Sequence, residues 1–392
     1  MLFIIFTILF SSVAIAEFDY DKYSLPTDNN YAGKTFIFWL NGDSNRFRPE
    51  ISGSKKQVRI DKVDAERITN YAQDCACNVI LVHDQRGKDR FYNSSKHFGS
   101  YIKVWRNGTL LRFGRSNRLK AREVNQDAEF VESFLHFSKE LFPNSEFYFT
   151  YRGHSFSHFS EMMPFDYSHP ETRFEHADFI KAVSNSGINF KAIIFAACSM
   201  AQIDLALGLV DYADYMLASQ VDIYESGDTG FNFNFLTTIK EDSSDESIIQ
   251  EIYQSLLGNF KSVNNENAYL LETPTSLINL KELTFEKETL TLINGIISEN
   301  YNNSPELFKA CKVVKRISPR YFEELNKESS ERAQLMQEYL IQHNASSELD
   351  LVCAMRKVNI DESYIQDLKR SISLLDPSPA LDKDGVSLIP SL

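Results

Sequence analysis

Five short apolar runs mark the first 220 or so residues, and each ends in polar or turn-forming residues. Lys34–Leu40 (KTFIFWL) runs into Asn41-Gly42-Asp43, and Asn78–Val82 (NVILV) into His83-Asp84. Glu146–Tyr151 (EFYFTY), Lys191–Ala197 (KAIIFAA) and Asp214–Ala218 (DYMLA) follow. Runs of this length, apolar at successive positions and closed by breakers, predict strands buried on both faces. Between them the period changes. Phe130, Phe134, Phe137 and Leu141 recur at helical spacing, with Asp127 placed to cap and Pro143-Asn144 to stop. A second helix is predicted near Asp178–Ser184, and a third from Ile203, Ala206, Leu207 and Val210. Tyr101–Arg106 and Thr109–Phe113 flank Asn107-Gly108, a two-residue hairpin signal.

Buried strands separated by helices predict an α/β fold with a mainly parallel sheet covered by helices on both faces. Past Asp242 the texture changes to charged, helical-period segments such as Phe322–Leu340, and the tail from Leu375 holds three prolines. There is no internal repeat. The expected organisation is a leader at 1–16, an α/β domain over 17–241, and a mostly helical C-terminal region with an irregular tail over 242–392.

Met1–Ala16 (MLFIIFTILFSSVAIA) is a short apolar stretch ending in an Ala-x-Ala arrangement at Ala14 and Ala16. It reads as a secretory signal peptide cut before Glu17, although the n-region carries no Lys or Arg. The alternative, an uncleaved anchor, needs a longer apolar span. The expected location is secreted or periplasmic, with no membrane association after cleavage. Four glycosylation sequons begin at Asn93, Asn107, Asn302 and Asn344.

Composition narrows the function classes. The 392 residues carry 41 Lys+Arg against 54 Asp+Glu, a net charge of −13. So acidic a chain lacks the basic footprint of a nucleic-acid binder. There are five cysteines, with no Cys-x-x-Cys pair to suggest structural zinc. The odd number leaves at least one thiol without an intrachain partner. Cys311 and Cys353 could pair; Cys75 and Cys77 are expected to be too close for an easy bridge.

In parallel sheets, ligands bind beyond the carboxyl ends of the strands. Two such ends carry reactive side chains: EFYFTY leads into Arg152-Gly153-His154-Ser155, and KAIIFAA into Cys198-Ser199-Met200. Cys198 is expected directly before a helix, whose N-terminus would favour a thiolate. If the two strands are neighbours, His154 can take the thiol proton and later protonate a leaving amine. The plain alternatives are a buried small cysteine and a hydrogen-bonded loop histidine.

These blocks resemble the clostripain-like cysteine peptidases of the caspase–gingipain clan. KTFIFWLNGDSN, NVILVHDQR, SEFYFTYRGHSFSHF and KAIIFAACSMAQIDLALGLVDYADYMLASQ occur in that family's order over about residues 34–220, and the last is the most specific. The resemblance implies a caspase-like sandwich, His154 as base, Cys198 as nucleophile, and backbone N–H groups of Ser155 and Cys198 as the oxyanion hole. It implies a peptide or protein substrate and no organic cofactor. Some members need calcium; Asp222, Glu225 and Asp228 match no defined calcium loop. Two departures stand out. Ser155 replaces the glycine that usually follows the histidine, and Ala196 replaces an acidic residue of the substrate pocket. Without that carboxylate a substrate Arg or Lys loses its charge-assisted partner, so strict basic specificity is expected to be lost. Ala196, Ser219 and Asp222 are the expected substrate-binding positions.

Two rivals remain open. His154 and His158 are four apart, but the glutamate of a metal-hydrolase helix motif is missing. A catalytically inactive caspase-like binding or effector module fits Ala196 and Ser155. Asp204 reads as a solvent-facing helix residue rather than a third catalytic member. Oligomeric state is not legible.

Overall fold

The computed structural model describes residues 33–41, 47–49, 57–84, 101–115, 128–153, 155, 161–163, 174–197, 200–219, 233–263, 275–283, 287–311, 349–375 and 387–388. The leader expected at 1–16, the segment Phe322–Leu340 and most of the tail lie outside them.

The strands are β1 (Lys34–Asn41), β2 (Phe47–Pro49), β3 (Gln57–Arg59), β4 (Asn78–Asp84), β5 (Tyr101–Arg106), β6 (Thr109–Arg115), β7 (Glu146–Arg152), β8 (Glu161–Met163), β9 (Phe174–Glu175), β10 (Phe190–Ala196) and β11 (Ala213–Ser219). Later come β12 (Thr275–Asn279), β13 (Leu349–Asp350), β14 (Ile372–Leu375) and β15 (Ser387–Leu388). The helices are α1 (Ile60–Ala72), α2 (Ala128–Leu141), α3 (His176–Ser186), α4 (Ile203–Leu209), α5 (Asp245–Val263), α6 (Lys287–Asn303), α7 (Leu351–Lys357) and α8 (Glu362–Arg370).

Nine strands form one sheet in the order β14-β12-β11-β10-β7-β1-β4-β5-β6. The central five, β11, β10, β7, β1 and β4, are parallel. Antiparallel strands flank them on both sides. All five predicted apolar runs are these central strands. The Asn-Gly hairpin also forms, with Asn107 at φ 45° and Gly108 at φ 75°, the left-handed pair that a two-residue loop needs.

Alternate residues of each strand feed two cores. Ile37, Trp39, Phe149, Tyr151, Ile193 and Phe195 join Phe134, Phe179 and Leu205 of α2, α3 and α4 on one face. Phe36, Phe38, Leu40, Tyr148, Ile194 and Ala196 join Ile68 of α1 and Ile248, Ile249 and Ile252 of α5 on the other. The molecule is thus an α/β sandwich with helices on both sides of a mainly parallel sheet. Residues past 242 supply β12 and β14 to this sheet, as well as α5 to α8.

Two disulfides differ in how far they were foreseen. Cys311 and Cys353 are bridged, which fastens the short 3-10 helix Pro305–Cys311 to α7. Cys75 and Cys77 are bridged too, contrary to expectation. The turn after α1 folds the chain back, with Gln73 N–H on Asn70 O and Asp74 N–H on Tyr71 O. Their Cα atoms are 5.1 Å apart, well inside bridging range.

Candidate active site

The carboxyl ends of the parallel strands form one edge of the sheet. Register fixes who stands beside whom there. Arg152, the last residue of β7, is level with Ala196 of β10 on one side and Leu40 of β1 on the other. Leu40 is in turn level with His83 of β4. Neighbours in register share a face, so Ala196, Arg152, Leu40 and His83 make a row on the face covered by α1.

That row is polar and sealed. The Arg152 side chain is 3% exposed and Asp64 of α1 is fully buried. Arg152 Nε donates to Asp64 Oδ2 at 3.0 Å, and Nη1 donates to the Ala196 carbonyl at 3.2 Å. One turn earlier on α1, Asp61 Oδ2 lies 2.9 Å from His83 Nε2, and His83 Nδ1 lies 2.8 Å from the Tyr101 hydroxyl. Asp61 and Asp64 are three apart, so both project from one face of α1 toward the strand ends.

The chain leaves β7 and β10 under tight constraint. A Cβ on Gly153 would lie 2.3 Å from Tyr151 Oη and 3.1 Å from Asn41 Cβ, so only glycine fits where the chain passes over the end of the strand. Beyond β10, Ala197 and Met200 are buried, and Ala201 N–H donates to Ser219 O at 2.9 Å. This ties the segment after β10 to the end of β11. Gln202 stands at the N-cap position of α4 without a side-chain capping bond, and Gly208 lets that helix sit against Ile180 of α3. The helix was expected directly after Cys198. It begins at Ile203, where its apolar period starts, with four residues between it and Cys198.

Ala196, Ser155 and Ser219 are all buried at this edge. His154, Cys198 and Asp222 lie outside the described residues, as do Glu225 and Asp228. Arg152 immediately precedes Gly153-His154, and Ala196 precedes Ala197-Cys198. The two candidate reactive residues therefore follow, by the same two positions, strand ends that are partners in the sheet. Asp204 is 60% exposed and 3.7 Å from His176 Nδ1, in keeping with a solvent-facing helix residue. Two disulfides use four of the five cysteines, leaving Cys198. Among the described residues no group of His, Cys, Asp and Glu is arranged to hold a metal ion.

The profile of the Clostripain family of C11 peptidases matches residues 114–376, about two thirds of the chain. The chain belongs to the clostripain family. The match begins after β4 and extends into α8 and β14, so the family's domain takes in much of the C-terminal region. Two solved structures share the fold at low identity. An inactive zymogen C11 protease from Parabacteroides distasonis superposes with a TM-score of 0.53 at 15% identity, covering 92% of each chain. A secreted C11 cysteine protease from Bacteroides thetaiotaomicron, solved with an irreversible peptide inhibitor, gives 0.53 at 12% identity, covering 91% of this chain and 89% of that one. A comparison with curated protein sequences gives no match.

Clostripain-family membership makes this chain a cysteine peptidase by descent. Asp61, Asp64, His83 and Arg152 were not foreseen as site residues. The only sequence signal was position: Arg152 and His83 close predicted strands. Nothing in α1 marked its two acids as buried, because a helix reading IDKVDAERITNYA looks solvent-facing.

Proposed function

We propose that this chain is an exported cysteine endopeptidase in which Cys198 attacks the substrate carbonyl and His154 moves the proton. The observation that carries this reading is the parallel register of Arg152 with Ala196, which sets side by side the two strands leading into His154 and Cys198. The disulfide arithmetic supports it, since a nucleophilic thiol has to stay unbridged.

The chemistry runs as acyl transfer. His154 takes the thiol proton, and the thiolate adds to the carbonyl carbon of the scissile bond. Backbone N–H groups of Ser155 and Cys198 receive the oxyanion. Collapse expels the amine, which leaves with the proton from His154, and a thioester remains. Water, deprotonated by His154, then hydrolyses the thioester and frees Cys198. No organic cofactor enters these steps, and calcium is not needed for them.

Ala196, Ser219 and Asp222 are assigned to the pocket for the residue before the cleaved bond; a carboxylate for a basic side chain there has to come from Asp222 or Asp228 rather than from the end of β10. Ala196 brings no carboxylate, and its own carbonyl is engaged by Arg152. A substrate Arg or Lys therefore finds no direct partner at this position, and strict basic specificity is not expected. Export rests on the apolar leader at 1–16. Among the described residues no helix is long and apolar enough to cross a membrane.

The test is a peptide library varied at the residue before the scissile bond, read with the wild-type chain and Cys198→Ala. Wild-type turnover that the variant reduces by at least about a thousandfold supports the reading. Fast alkylation by iodoacetamide at neutral pH, absent in Cys198→Ala, supports the activated thiol. Equal turnover in both chains, or none under reducing conditions with or without calcium, moves the protein to a caspase-like binding module.

A further inference from the structure

We propose that Arg152 and Asp64 are positioning residues for the peptidase dyad, clamping the carboxyl ends of β7 and β10 so that His154 and Cys198 leave the sheet at a fixed separation. The inference deepens the reading above and rests on it.

The clamp is built from three parts. Arg152 ends the strand that leads to His154; its guanidinium reaches sideways to the carbonyl of Ala196, which ends the strand that leads to Cys198. The other branch is anchored on Asp64, a carboxylate held on α1 with no exposure to solvent. A single planar cation thus ties two strand ends to each other and to a helix. Only a forked donor does this, because an ammonium cannot meet two acceptors in the same fixed plane.

Position and cost both point to geometry rather than stability. The backbone ladder already joins β7 to β10. A buried ion pair gives no net gain over well-packed apolar residues of the same volume. Here Arg152 is two residues before His154, and the carbonyl it holds, that of Ala196, is two residues before Cys198, so the contact orients the Ala196 peptide on the approach to Cys198. Gly153 adds a second constraint, since a side chain there would run into the Tyr151 ring and Asn41. Proton transfer between thiol and imidazole needs hydrogen-bond contact, and a displacement of about 1 Å costs about a hundredfold in rate.

The test uses the full chain with two variants. Arg152→Lys keeps the charge and the Asp64 partner but gives up the fork. Arg152→Met with Asp64→Leu removes both ions together, which avoids leaving either one buried alone. Three quantities are read: kcat and KM on the best library peptide, the pH dependence of Cys198 alkylation by iodoacetamide, and the fraction folded by circular dichroism. The clamp predicts folded variants whose kcat falls about ten- to a hundredfold, with KM changed by less than about threefold. It predicts that the acid limb of alkylation moves up toward the ordinary thiol range of about 8.5. Folded variants with parental kcat and parental alkylation profile overturn it. So does a kcat loss that merely tracks loss of folded protein in both variants. If the parent shows no turnover dependent on Cys198, the peptidase reading falls by itself. The alkylation profiles still decide whether the clamp sets the environment of this thiol.

Discussion

The two edges of one sheet handle charge in opposite ways. At the carboxyl edge, Asp61, Asp64, His83 and Arg152 are buried, and the two carboxylates join α1 to the ends of β4 and β7. At the amino edge, the first residues of the same strands meet in an open network. Lys191 of β10 lies 2.7 Å from Asp245 of α5, 3.7 Å from Glu146 and 3.8 Å from Asp214. Lys281 reaches Asp214 at 2.8 Å, and Lys34 reaches Glu146 at 3.8 Å. Apart from Lys34, which is 9% exposed, these side chains are partly wet, from 22% exposed for Asp245 to 64% for Lys281. Exposed pairs are cheap to form and weak. Buried pairs carry a large desolvation cost and become very sensitive to loss of one partner. The molecule places the second kind at the strand ends that lead into the two candidate reactive residues, and the first where α5 only needs to be docked.

The sharpest way to break this contrast is Asp64→Ala. It leaves the Arg152 guanidinium in a sealed site without its carboxylate. Removing one member of a buried ion pair costs about 3–5 kcal/mol. The expected result is a large fall in the urea midpoint, with little change when salt is raised, because ions do not screen a buried group. A loss below about 1 kcal/mol, or one that high salt abolishes, means that water reaches the pair and that the two edges are alike.

How much of this was legible follows from the same physics. The central strands were readable because burial on both faces forces unbroken apolar runs; Lys34–Leu40 and Asn78–Val82 differ from β1 and β4 only at their ends. The hairpin was readable because Asn107 and Gly108 both take positive φ, which few residues tolerate. Strands β12 and β14 were not foreseen. TSLIN and ISLL are short, and only their antiparallel pairing beside β11 makes them strands. The candidate reactive residues were legible as the first reactive side chains past two strands, yet their adjacency depended on a pairing that no local pattern encodes. The Asp64–Arg152 contact was invisible for the same reason: its partners are far apart in the chain and each looks solvent-facing in isolation. The start of α4 at Ile203 was readable from the apolar period beginning there; the interval between Cys198 and that start was not.

A smaller effect is expected at the amino edge from Tyr148 and Asp245. The Tyr148 hydroxyl donates to Asp245 Oδ1 at 2.5 Å. Partial burial pushes the Asp245 carboxyl up, but the Lys191 ammonium and the Tyr148 hydroxyl outweigh it and hold its pKa below the ordinary value. A depressed carboxylate stabilises the fold above the unfolded pKa, about 3.9, and loses that contribution as pH falls through the folded value. Tyr148→Phe is expected to cost about 1–2 kcal/mol at neutral pH. Asp245→Asn is expected to flatten the fall of the urea midpoint as pH drops below about 4, relative to wild type. A variant whose acid limb overlays the wild-type curve shows that Asp245 carries none of the edge's pH dependence.

The smallest effect is expected from Lys281→Ala, and it sharpens the comparison most cleanly. Lys281 is the most exposed member of the network, and its ion pair to Asp214, the one it makes among the described residues, is short. Length alone would make it a strong contact; exposure says otherwise. Water screens both charges, and holding a long side chain in one rotamer costs entropy that the attraction barely offsets. The expected change is below about 0.5 kcal/mol at low salt and nothing measurable at about 0.5 M salt. Asp214 keeps Lys191 within 3.8 Å after the substitution, so no buried charge is orphaned. A cost above about 1.5 kcal/mol means that burial does not separate the two edges, and the division between a sealed, geometry-setting rim and a wet, docking rim has to be abandoned.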